Sequence, residues 1–325
     1  MKKFCVIGTP VGHSRSPELF ERFSTERGYK YGSDVEYLRN EIQTKEELSE
    51  FVRQLKNGEW KGCNVTMPWK TDMVGYMDEM SENARLTDSV NTVSYRNGKL
   101  YGDSTDGRGM LNAVAERLTD VKPKENAEST GNEVGTQTGG EAGLSDLQGL
   151  DMVILGCGGA ARSIIAEAVI RKLGSITIVC RGGAAVGVYG NDEAKGTEDS
   201  EKKREAFSQN IRLTLNMLDK LGKTCTYIKF IDSDDTETLA EAIDQADLLI
   251  NSTPVGMKTG NGDELKLPMP ESIVFKPSLI VADCVYNPDE TLLIKKAAAS
   301  GCTVVKGIRM LEEQARCGVD VLLSE

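Results

Sequence analysis

The chain has 325 residues, enough for about two domains at roughly 150 residues each. With 39% hydrophobic and 27% charged residues it can bury a core, which excludes wholesale disorder. Its 50 acidic against 39 basic side chains, a formal charge of -11, argue against a binder of nucleic acid or anionic membranes, which needs a basic face, and leave room for a small anionic ligand held by a few local donors. No apolar run reaches the roughly 18 residues of a membrane span. Gly8, Pro10 and Gly12 interrupt the apolar stretch behind Lys2 and Lys3, so no secretory signal is expected. The eight cysteines are scattered without a C-x-x-C pair, as expected of a reduced cytoplasmic protein. His13 is the only histidine, which excludes a His-rich metal site and most Ser-His or Cys-His triads. Proton transfer then falls to Lys, Asp, Glu or Tyr, and no metal is expected.

In chain order, residues 3–8 read as a compact apolar strand. Ser16-Pro17 opens a helix, with serine as N-cap and proline at the first helical position. Residues 34–38 read as a strand, 45–55 as a helix and 62–66 as a strand stopped by Pro68. Strands at 93–95 and 99–101 flank Arg96-Asn97-Gly98, a hairpin signal. Asp106 or Thr105 caps a helix to about residue 118. Residues 120–146 lose apolar periodicity and read as a disordered insertion, and 182–203 as a second polar, exposed stretch. Strands at 151–155, 175–180, 247–251, 278–283 and 302–305, with helices between them, imply a parallel doubly wound sheet. A final helix at 308–323 crosses back toward the first half.

Residues 152–161 fit strand, then G-x-G-x-x-A, then helix. Gly156 allows the tight turn, Gly158 lets backbone N–H groups approach a pyrophosphate, and Ala161 lets helix and strand pack closely. The helix N-terminus adds partial positive charge, so a dinucleotide is expected on Gly156, Gly158, Gly159, Ala160 and Ala161. The next strand ends at Arg181 rather than at an acidic residue. A guanidinium suits a 2′-phosphate, which predicts NADP rather than NAD. Cys157, inside the loop, is either a small filler or a thiol acidified by the helix N-terminus.

Three polar clusters lie at expected strand ends. Ser14 and Ser16 could donate together to one carboxylate at a helix N-terminus, or Ser16 could simply cap and Ser14 be solvated. Asn64-Val65-Thr66-Met67-Pro68-Trp69-Lys70 delivers a lysine that is either a solvated charge or a proton donor. In Gly102-Asp103-Ser104-Thr105-Asp106-Gly107, Asp106 is either a cap or the carboxylate that holds that lysine.

With Val90-Asn91-Thr92, the run 251–257, Asp283-x-Val285-Tyr286-Asn287-Pro288 and Gly307-x-x-Met310-Leu311-x-x-Gln314, these patches resemble the shikimate dehydrogenase family, which includes quinate/shikimate dehydrogenases. The resemblance implies two α/β domains. Residues 1–106, completed by 308–325, would form a substrate-binding and catalytic domain. Residues 107–307 would form a Rossmann-like NADP-binding domain holding both insertions. It further implies NADP-linked interconversion of 3-dehydroshikimate and shikimate, with Lys70 and Asp106 as the catalytic pair. Ser14 and Ser16 would grip the carboxylate, Thr66, Asn91 and Gln314 the ring hydroxyls, and Tyr286 would line the pocket. Asn251, Ser252, Thr253, Met257 and Gly307 would lie beside the cofactor. The expected partner is the small substrate alone, in a monomer or homodimer. The alternatives are a quinate/shikimate dehydrogenase using NAD or NADP, and a non-catalytic NADP-binding sensor.

Overall fold

The computed structural model describes residues 1–121, 147–183, 186–189, 208–222, 226–258 and 263–324. The two expected insertions fall largely outside these residues, 122–146 and 190–207 entirely so.

The first half comprises β1 (Lys2–Gly8), α1 (Ser16–Glu26), β2 (Val35–Glu41), α2 (Lys45–Lys56), β3 (Gly62–Val65), β4 (Glu79–Met80), α3 (Glu82–Thr87), β5 (Thr92–Arg96) and β6 (Lys99–Asp103). The strands form one sheet in the order β2-β1-β3-β5-β6-β4. β1 is parallel to β2 and β3, whereas β5 is antiparallel to both β3 and β6. Alternation along β1 builds two apolar layers. Cys5 and Ile7 face Leu48, Phe51 and Leu55 of α2, whereas Phe4 and Val6 face Phe20 and Phe23 of α1. The β5–β6 turn places Asn97 and Gly98 at φ of 52° and 78°, as a two-residue hairpin requires.

The second half comprises α4 (Asp106–Val121), β7 (Asp151–Leu155), α5 (Gly159–Ile170), β8 (Ser175–Cys180), β9 (Val188–Tyr189), α6 (Gln209–Leu221), β10 (Tyr227–Asp232), α7 (Thr236–Gln245), β11 (Leu248–Asn251), β12 (Ile280–Asp283), α8 (Leu292–Ala299), β13 (Thr303–Val305) and α9 (Gly307–Leu323). The sheet order is β13-β12-β11-β7-β8-β10-β9, parallel throughout except for β9. The strand order reverses between β7 and β11, so ligand binding is expected where their carboxyl ends diverge. α9 then returns to the first sheet. Val319 and Leu322 pack with Phe4, Val6 and Phe20, and a Cβ on Gly62 would lie 2.6 Å from Cδ2 of Leu322.

Several expectations shift. β2 runs to residue 41 rather than 38, because its backbone stays paired with β1 as far as Gly8. α4 extends to Val121 and α5 starts at Gly159. Within 182–203, Val188–Tyr189 is not loop but a short strand on β10. Arg15, not Ser16, is the N-cap of α1, and Ser16 is the first helical residue.

Candidate functional site

Segments after β1 and β3, before β5, after β6 and at the starts of α5 and α9 converge on one cavity of about 430 Å³. Ser14, Ser16, Thr66, Lys70, Asn91, Asp106, Tyr286 and Gln314 all line it, although the chain separates the first from the last by 300 positions. Ala160 and Gly307 border it from the second sheet.

Lys70 and Asp106 form the centre. Lys70 Nζ donates to Asp106 Oδ2 at 2.6 Å, and Asn91 Nδ2 donates to Asp106 Oδ1 at 2.7 Å. Both carboxylate oxygens are thereby engaged, which keeps the acid oriented while the ammonium retains two further N–H bonds. The pair is partly shielded, with side chains 29% and 19% exposed, so water does not fully screen it. Asn91 is fixed in turn: its Oδ1 accepts from Thr105 N at 2.9 Å. Its Nδ2 also donates to Thr105 Oγ1 at 3.1 Å, and the residue lines the cavity. Val90 N donates to Lys70 O at 2.9 Å, tying the lysine segment to the asparagine segment.

Of the two cap candidates for α4, Thr105 takes the position before the helix and its carbonyl accepts from Gly109 N at 2.9 Å. Asp106 is the first helical residue and spends its carboxylate on Lys70 and Asn91. Thr105 Oγ1 donates to Gln314 O at 3.1 Å. At α1, Ser14 Oγ accepts from Ser16 N at 3.2 Å and donates to Ser16 Oγ at 3.0 Å. The two hydroxyls stand side by side at a helix N-terminus, a geometry suited to an anion.

The glycine loop follows β7 as expected. Gly156 has φ +102°, and a Cβ there would sit 2.9 Å from Ser252 Oγ. Gly158 is the N-cap of α5 and makes no side-chain cap. A Cβ on Gly158 would meet nothing within 4 Å, so the approach to the helix N-terminus is open. Ala161 is fully buried against the strand. Open space, an uncapped helix N-terminus and a switch-point position together suit a dinucleotide pyrophosphate. Cys157 is buried beside Cys180 at the end of β8. A hydrogen bond from Cys180 and the nearby Arg162 guanidinium lower its thiol pKa against the opposing effect of burial, so the acidifying partner is chiefly a second thiol. Among the described residues the cysteines are free.

Ser252 Oγ donates to Leu155 O at 2.6 Å, which joins the end of β11 to the glycine loop. Asn251 Nδ2 donates to Asp283 Oδ1 at 2.9 Å, and its Oδ1 accepts from Thr253 N and Oγ1 at 3.0 and 2.7 Å. Asn251 therefore shapes the turn that presents Ser252 and Thr253. Burial pushes the Asp283 carboxyl up to about 6, opposed by bonds from Thr291, Val285 N and Asn251. Met257 and Tyr286 are exposed, and Tyr286 lines the cavity. Arg181 is exposed past β8, next to Gly182, whose N donates to Asp232 Oδ2 at 2.8 Å. Arg181, Asn251, Ser252, Thr253 and Met257 lie outside the cavity that holds Lys70.

The sequence reading did not single out His13, Arg15, Asn64 or Met310 as site residues, yet all line the cavity. His13 and Arg15 flank Ser14, and that adjacency was the available signal. Gly307 is required sterically, since a Cβ there would lie 2.3 Å from Val285 O.

A family model, the shikimate dehydrogenase substrate binding domain, matches residues 6–93, which include Ser14, Ser16, Thr66, Lys70 and Asn91. A protein of Streptococcus pneumoniae (strain CGSP14) named shikimate dehydrogenase (NADP(+)) is 30% identical over 311 residues, 95% of this chain and 87% of the relative. The chain belongs to the shikimate dehydrogenase family. Among solved structures, it resembles shikimate 5-dehydrogenase from Listeria monocytogenes, in complex with shikimate and NAD, at 28% identity and a TM-score of 0.75, covering 99% of this chain and 91% of that one. It also resembles the ligand-free 5-ketofructose reductase of Gluconobacter sp. strain CHM43, at 26% identity and a TM-score of 0.71, covering 100% and 93%. Membership accounts for the two-sheet architecture. No helix among the described residues is long and apolar enough to cross a membrane.

Proposed function

We propose that the protein interconverts 3-dehydroshikimate and shikimate with NADP, the step that feeds chorismate and aromatic amino-acid synthesis, in a reduced cytoplasmic setting. The observation that supports this reading best is the Lys70–Asp106 pair at 2.6 Å, set in a cavity that also holds the paired Ser14 and Ser16 hydroxyls. Reduction of a ring ketone needs a hydride on carbon and a proton on oxygen. When bound, the nicotinamide supplies the hydride.

The chain's own residues do the rest. Lys70, as ammonium, donates a hydrogen bond to the carbonyl oxygen, stabilises negative charge as it builds there, and passes on its proton. Asp106 holds the ammonium in place, and Asn91 holds Asp106. Ser14 and Ser16 bind the substrate carboxylate at the start of α1, which turns the ring so that its reacting carbon meets Lys70. Thr66, Asn91 and Gln314 face the ring hydroxyls, and Tyr286 covers the cavity mouth. Gly156, Gly158, Gly159, Ala160 and Ala161 bind the pyrophosphate, and Arg181 binds the 2′-phosphate. Asn251, Ser252, Thr253, Met257 and Gly307 border the nicotinamide half.

In this reading residues 1–106 with 308–325 form the catalytic domain and 107–307 the NADP domain. The reading takes the protein as a monomer or homodimer acting on the small substrate alone. The test is an assay of shikimate and quinate, each with NADP and with NAD, followed by the absorbance of the reduced nicotinamide. Oxidation of shikimate with NADP is expected to dominate. Preference for quinate or NAD would move the reading to the broader dehydrogenase. Failure to oxidise either acid would sink it in favour of a non-catalytic sensor.

A further inference from the structure

Ser163 lies one turn into α5, behind the glycine loop, and is 1% exposed. Its hydroxyl accepts from Gly107 N at 2.9 Å, stands 3.3 Å from Ser104 Oγ, and donates to Asn83 Oδ1 at 3.3 Å. Asn83 Nδ2 returns to Ser163 O at 3.3 Å and to Glu167 Oε2 at 3.2 Å. With Ser104 as donor, one hydroxyl hydrogen and two lone pairs are all used.

Asn83 and Ser104 come from the first half of the chain, and Ser104 and Gly107 bracket Asp106. Gly107 N belongs to the first turn of α4. Such first-turn amides have no partner within their own helix. The residues that could cap α4 locally are occupied elsewhere, Thr105 by Asn91 and Gln314, Asp106 by Lys70 and Asn91. Ser163 supplies the missing acceptor from another helix. The approach is close enough that a Cβ on Gly107 would lie 2.1 Å from Ser163 O.

We propose that Ser163 is a positioning residue for hydride transfer: by capping α4 from within α5 it sets the Asp106–Lys70 pair in register with the helix that begins at the cofactor loop. This rests on the dehydrogenase reading. Hydride transfer is steep in distance, and a shift of about 1 Å in a reacting group costs up to about 10²-fold in rate.

The experiment compares the wild-type enzyme with Ser163→Ala. Expected are a fall of roughly tenfold or more in kcat, with the KM for shikimate and the Kd for NADP held within about twofold, and a larger primary deuterium isotope effect from shikimate labelled at the reacting carbon. A kcat within about twofold of wild type, or a loss confined to KM and Kd, overturns the proposal. Amide exchange of Gly107 in the wild-type protein gives a second readout should the variant not fold. Protection of that amide upholds the bond, and exchange at the rate of an open helix end overturns it. A wild-type enzyme inactive on shikimate and quinate would instead sink the dehydrogenase reading, so the two failures are distinct.

Discussion

Asp106 divides its carboxylate, one oxygen 2.6 Å from the Lys70 ammonium and the other 2.7 Å from the Asn91 amide. That division favours the lysine as the group that transfers the proton, because both carboxylate oxygens act as acceptors here whereas the ammonium keeps N–H donors to spare. Lys70→Ala should therefore lower kcat by about 10²–10⁴-fold while the thermal melt stays cooperative. Asp106→Asn, which keeps an acceptor for Asn91 but loses the ion pair, should lower kcat less. Turnover of Lys70→Ala close to wild type would remove the lysine from the chemistry.

Ser14 and Ser16 sit at the start of α1 with their hydroxyls 3.0 Å apart. A hydrogen bond to a charged group is worth about 1.5–3 kcal/mol, and 1.4 kcal/mol is about tenfold in binding. Ser14→Ala should raise the KM for shikimate by roughly tenfold or more and alter kcat much less. Equal KM values in variant and wild type would place the carboxylate elsewhere.

Gly109 marks a second close approach at α4. A Cβ there would lie 2.6 Å from Gln314 N and 2.5 Å from Gln314 Cβ, so α9 would have to move away from the site. Gly109→Ala should lower both Tm and kcat even though alanine favours helix over glycine by about 1 kcal/mol. Gly75→Ala, with nothing within 4 Å of its Cβ, serves as the control and should change neither.

Asp283 is fully buried, and its carboxyl is raised to about 6 mainly by that burial. The folded protein then holds this proton more tightly than the unfolded chain does, whose aspartate titrates near 3.9. Its contribution to stability is greatest below about pH 4 and declines as pH rises to about 6. Asp283→Asn cannot ionise, so its Tm relative to wild type should rise between about pH 4 and pH 7. Parallel pH profiles for the two proteins would contradict the assignment.

Much of this was legible in the sequence because the signals are contiguous. The apolar runs of β1, β7 and β8, the Asn97-Gly98 turn and the glycine loop each occupy a few adjacent residues. The convergence of Ser14, Lys70, Asp106 and Gln314 could be expected from motifs, the first three near a strand or helix end and Gln314 within α9. The two-residue strands β4 and β9 were missed because so short a segment has no periodicity and exists only through its neighbour. The cap of α1 was misassigned because the local rule favours the serine before Pro17, whereas Ser16 is already helical; at α4 tertiary partners had claimed the Thr105 hydroxyl and the Asp106 carboxylate, which no local rule shows. The contact of Ser163 with Asn83 joins residues 80 positions apart, each an ordinary polar residue on a helix, and leaves no local trace.

The return of α9 has a consequence for biosynthesis. Phe4, Val6 and Phe20 wait for Val319 and Leu322 to cover them, and those residues are translated only after the whole second sheet. While the ribosome is still making that sheet, the amino-terminal layer has α1 packed on it but lacks the part of its cover that α9 provides. A nascent chain of this design offers chaperones a binding surface early and withdraws it last.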